Sequence, residues 1–123
     1  MLWKSSSPSQ LKLSGSVGPW LKDIEKWHRI WLKAHPGQQL DYQVYLYVIT
    51  ICFVNLAKAE WSRQSSGKRK IFEIDSFVSV DEEGGMHMDA LQTLDYLAEH
   101  TETDFRLDNI RRCHDSALRM LGK

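Results

Sequence analysis

Five histidines and two cysteines are the residues of this 123-residue chain best suited to chemistry, as metal ligands, general bases or nucleophiles. Their spacing gives them little to work with. His28, His35, His87, His100 and His114 include no HxxxH pair, so no helix carries two imidazoles one turn apart. Glu25 and His28 make one ExxH, the unit that di-iron bundles use twice together with two further glutamates, and no second copy occurs. His87, Asp89, His100 and Asp115 are scattered residues that only folding could assemble into a site. Cys52 sits in the most apolar stretch and reads as inert packing, whereas Cys113 lies between Arg112 and His114, which face different ways on a helix. No GxSxG, phosphate-binding loop or dinucleotide fingerprint is present. The expectation is no catalytic residue, no metal and no cofactor, with a small helical enzyme as the third reading of function.

Arg29 and His35, in RIWLKAH, look like the R-x4-6-H signature of HEPN-type ribonucleases, which are small dimeric helical bundles. Seven arginines and five histidines supply about one such match by accident, Ile30 stands where that family usually has a polar residue, and His35 abuts Pro36, so membership is not inferred. Nucleic-acid binding has the broader basis. Lys22, Lys26, Arg29 and Lys33 form one helix face, and with Lys68, Arg69 and Lys70 and the early Lys4 and Lys12 they could track phosphates. Against it stand the net charge of zero, the lack of any helix-turn-helix, RRM or zinc-finger signature, and the ordinary habit of charged helix faces to be merely solvated. Trp20, Ile24, Trp27 and Trp31 follow i, i+4, i+7, i+11 and lie about 200° around the axis from the basic face, so the tryptophans offer no stacking platform beside it. They read as core or interface anchors.

Apolar residues at 42% and charged residues at 26% are ordinary globular usage. The charge is divided: residues 1 to 70 carry eleven Lys/Arg against four Asp/Glu, and residues 71 to 123 carry five against twelve, +7 against -7. Such a split can steer self-association or be satisfied inside the fold. Two distant cysteines and no signal-peptide core point to a reducing, cytoplasmic setting.

Serine, proline and glycine dominate residues 1-19, which read as a flexible N-terminal arm, leaving 20-123 as a single helical domain. A first helix opens at Pro19 and stops at HPG, residues 35 to 37. The next, LDYQVYLYVITICFVNLAKAEW, is apolar from Tyr42 to Val54, too long for a typical strand, and leaves only Gln43, Tyr47, Thr50 and Lys58 as a polar stripe. It is too short and too interrupted by polar residues to read as a membrane span. IFEIDSFVSV reads as a strand, with a hairpin from Phe77 to Met88. A third helix follows the Asp89/Gln92 capping pair, and a fourth, about Thr103 to Leu121, turns Leu107, Ile110, Ala117, Leu118 and Leu121 inward. The expected fold is mainly α, a small four-helix bundle-like domain with a short β-hairpin between helices 2 and 3. The long helix has more apolar surface than a small bundle covers. That excess predicts a non-catalytic interaction or regulatory protein, a homodimer or a partner-binder, with Trp20, Trp27, Trp31, Tyr45, Ile49 and Phe53 building core and contact surface.

Overall fold

The structure, a computed structural model, describes residues 15-123. Most of the expected N-terminal arm, residues 1-14, lies outside the described residues. Among the described residues are five helices, α1 (Val17–Ala34), α2 (Tyr42–Trp61), α3 (Gly67–Asp75), α4 (Ala90–His100) and α5 (Thr103–Met120), and two strands, β1 (Val78–Val80) and β2 (Met86–Met88). The domain is mainly α with one short antiparallel hairpin, as the sequence predicts.

In α1 the helical stripe holds. Val17, Trp20, Ile24 and Trp31 are buried, Trp27 is half-buried, and Lys22, Lys26, Arg29 and Lys33 are exposed on the opposite side. The helix begins earlier than expected: Val17 buries its side chain, which draws residues 17 to 19 out of the arm, and Pro19 sits in the first turn where its missing N–H costs no hydrogen bond. At the other end His35 donates from Nδ1 to the Trp31 carbonyl at 2.9 Å and stacks on the Trp31 ring at 4.2 Å, while Gly37 takes the left-handed conformation that turns the chain.

Helix α2 is the axis of the domain and packs against all four other helices. Asp41 caps it, accepting from the Val44 amide at 3.0 Å. Nine of its twenty residues are buried, among them Tyr45, Ile49 and Phe53 with no exposed surface, so these three are core. By length and composition α2 could also cross a membrane; in this fold the same apolar residues meet the other helices. Thr50, expected on the polar stripe, is buried instead and donates to the Leu46 carbonyl at 2.6 Å, which removes the need for water.

The segment read as a strand from Ile71 is in its first half the helix α3. Ile71 and Ile74, three apart, share a helix face, and Ile74 is buried against the core. Tertiary bonds hold this short helix: Lys58 of α2 pairs with Asp75, and Tyr96 of α4 donates to Glu73 at 2.6 Å. Its first residue must be glycine, because a Cβ at Gly67 would collide with the Trp61 carbonyl that ends α2. The extra helix moves the hairpin between the third and fourth helices. β1 and β2 pair as Val78↔Met88, Ser79↔His87 and Val80↔Met86, inside the expected Phe77–Met88 span. Asp89 caps α4 through the Gln92 amide at 3.0 Å. In α5 Phe105, Ile110, Cys113, His114 and Ala117 face inward, whereas Leu107, expected inward, is 57% exposed because the buried face runs through 110, 113, 114 and 117. The helix closes with Gly122 at φ 74 and the Lys123 amide on the Leu118 carbonyl at 2.8 Å.

Trp20 ties the ends of the core together, its ring 5.0 Å from Phe53 and 6.2 Å from Phe105. Phe53→Ala is expected to destabilise the fold by about 3–5 kcal/mol in urea denaturation, and Trp27→Ala, at a half-buried position, by clearly less. Equal losses would mean that the α1 stripe is buried along its whole length.

Candidate functional site

The histidines do not converge. His28 Nε2 donates to the Leu40 carbonyl at 2.6 Å, His87 pairs with Asp81 at 2.8 Å, and His100 donates to the Tyr96 carbonyl at 2.9 Å while stacked on the Tyr96 ring. The candidate set His87, Asp89, His100 and Asp115 is thus divided: Asp89 caps α4, and Asp115 is exposed on α5. Arg29 is exposed, and His35 is committed to Trp31. Among the described residues no group of three or more His, Cys, Asp or Glu side chains is placed to hold a metal ion.

The basic residues fall into two unlike groups. Lys22, Lys26, Arg29 and Lys33 are exposed and, among the described residues, make no ion pair. On α3, Arg69 pairs with Glu73 at 3.7 Å, and Lys70 is half-buried with its ammonium 5.9 Å from the Trp61 ring centre, so Lys68 is the member of that cluster with no such contact. Among the described residues the one ion pair of α1 is Asp23 with Arg106 at 2.9 Å, which joins α1 to α5, although the Nε–H is not aimed for a hydrogen bond.

One polar node is buried. Tyr45 donates from its hydroxyl to Nδ1 of His114 at 2.7 Å, across 69 residues of chain, and Trp27 lies 4.9 Å from the His114 ring. Burial pushes the Tyr45 phenol up, and burial pushes His114 below its ordinary value against the opposing pull of Asp115. The pair is therefore a neutral donor and a neutral acceptor, shut off from solvent. It pins α5 to α2 and offers no face to a substrate.

A surface feature that the sequence reading missed is a groove along α2. Gln43, Tyr47, Ile51, Val54 and Lys58, spaced by three and four, form the strip that the other helices leave open. Over this strip stands the hairpin. Val78, Val80, Met86 and Met88 share one of its faces by register, with Ser79 and His87 on the other. Val78, Met86 and Met88 line the groove, Val78 and Met88 half-buried and Met86 65% exposed at its mouth; Val80, also 65% exposed, extends beyond it. The hollow beneath the hairpin is about 390 Å³, and a second of about 480 Å³ adjoins it at Tyr47 and Met88, walled by Leu21, Glu25, Tyr42 and Asp89. Together they run about 22 Å along the helix at 1.5 Å per residue. Asp81 braces the hairpin tip, its carboxylate accepting from the Glu83 amide at 2.9 Å, the Gly85 amide at 2.7 Å and His87. The local pattern showed each apolar strand residue, but only the fold shows that four of them overhang an uncovered helix strip.

No protein family, curated protein sequence or solved structure was found to match this chain.

Because the folded pKa of His114 lies below its unfolded value of 6.5, the folded state binds fewer protons there as pH falls. Its contribution to stability is complete above 6.5 and is lost as pH drops toward the folded pKa. Urea midpoints at about pH 7.5 and about pH 5 should differ more for the wild type than for His114→Gln. Parallel behaviour of the two would remove His114 from the acid response.

Proposed function

We propose that this chain is a non-catalytic interaction module that pairs with a second copy of itself through the groove between α2 and the hairpin. The observation that carries the reading is the half-covered apolar face of that hairpin. A two-stranded ribbon is marginal unless its apolar face is packed, and here Val80 and Met86 each remain 65% exposed, Met86 at the mouth of the groove and Val80 beyond it. Methionine suits such a surface because its unbranched side chain adapts to what it meets.

Charge favours a second copy as the occupant. The groove's rim is acidic, with Glu25 and Asp89 at one end and Asp81, Glu82 and Glu83 at the hairpin tip. The outer face of α1 is basic and carries Ile30, 41% exposed between Lys26 and Lys33. One copy thus holds both the acidic groove and a basic helix face with an apolar residue at its centre, in keeping with the +7/-7 division of a chain with no net charge. Of the residues that the sequence offered as core or contact surface, Trp20, Trp31, Tyr45, Ile49 and Phe53 are core. The two free cysteines fit a reducing, cytoplasmic setting.

A second reading, nucleic-acid binding by α1, draws on the same four exposed cations. It predicts salt-sensitive retardation of an oligonucleotide that Lys26→Glu abolishes.

Light scattering coupled to size exclusion separates the outcomes. The wild type is expected to run as a dimer at micromolar concentration and to remain so in about 0.5 M salt, since buried apolar area is not screened. Met86→Glu should be a monomer with unchanged helical content. A monodisperse wild-type monomer would overturn the self-pairing.

A further inference from the structure

We propose that Cys52, Cys113 and Met120 form a binding site for a soft monovalent metal ion, Cu(I). Cys52 comes from α2 and the other two from α5, where the interval of seven residues places them on one helix face two turns apart. All three line a single hollow of about 230 Å³. The Cys52 Sγ and Met120 Sδ atoms are 3.8 Å apart. Sulfur ligands of a three-coordinate ion, with metal–sulfur bonds of about 2.3 Å set at 120°, lie roughly 4 Å from each other, so this pair already has the separation that a shared ion requires.

The donor types choose the metal. Two thiols and a thioether are soft ligands, which favour Cu(I); the hollow's other polar side chains, Asn55 and Ser116, offer only hard donors, and no imidazole or carboxylate lines it to complete the four-coordinate set that structural zinc takes. Without metal, Cys52 and Cys113 are both free, buried thiols. On binding, two S–H bonds break, three Cu–S bonds form, two to the thiolates and one to the Met120 thioether, and two protons leave to solvent with no change of oxidation state. Two thiolates and one Cu(I) leave a single negative charge, which the Arg112 guanidinium lining the hollow offsets. The ion has a way in, because Met120 is 60% exposed while Cys113, lining the same hollow, is buried. A thioether at the mouth is the first ligand an arriving soft ion would meet.

The test is an anaerobic titration of the reduced, full-length chain with Cu(I) against the chelator bicinchoninate. One ion per chain is expected to be withdrawn from the chelator, with sulfur-to-copper charge-transfer absorption in the near ultraviolet, and Zn(II) offered under a matched competitor should not be retained. Cys113→Ser should lose the site. Met120→Leu alters an exposed residue, keeps the thiols and the helical content, and should weaken Cu(I) by at least about tenfold, the loss typical even of groups one step removed from a metal. Failure of the wild type to take Cu(I) from the chelator, or an affinity unchanged in Met120→Leu, would overturn the site.

Discussion

The structure depends on covering α2. A twenty-residue helix that is apolar around most of its circumference cannot rest on one neighbour, and its β-branched residues weaken its local preference, so packing must hold it. The other four helices are arranged to meet this demand: α4 and α5 carry the broadest contacts, α1 brings Trp20 against Phe53, and α3 folds back at once from the end of α2. The tight return from Trp61 to Gly67 exists because α3 has to lie against the helix it has just left.

Covering an apolar rod also dictates what becomes of the polar atoms carried into the core. Thr50 turns its hydroxyl to the carbonyl one turn back, Thr93 does the same to Asp89, and Tyr45 finds His114. Each of these three hydroxyls thus has an acceptor, as a dry interior requires, whereas the buried Arg106 Nε–H relies on its ion pair with Asp23. His114 can remain in that interior only as a neutral acceptor, which links the central packing to acid sensitivity. The cover is incomplete along Gln43, Tyr47, Ile51, Val54 and Lys58, and the hairpin shelters only part of it.

Much of this was legible in residue order. The α1 stripe, the caps at Asp41 and Asp89, the end at Gly122 and the hairpin between Phe77 and Met88 follow from local periodicity and turn chemistry. The segment after Gly67 was misread because Ile71, Phe72 and Ile74 fit a strand about as well as a short helix, and what decides between them is a set of bonds to distant residues: Lys58 to Asp75 and Tyr96 to Glu73. Leu107 was misassigned by one step of helical rotation. The groove, the Tyr45–His114 bond and the sulfur cluster join residues remote along the chain, and no local pattern marks such pairs.

Native-state hydrogen exchange tests most directly whether α2 is the element on which the rest depends. Amides from Tyr45 to Ala57 should exchange only through global unfolding, with the same denaturant dependence as unfolding itself, while the hairpin and α3 open earlier. Exchange of the α2 amides ahead of those in α5 would contradict the account, because the helix placed at the centre would then be dispensable to the structure around it.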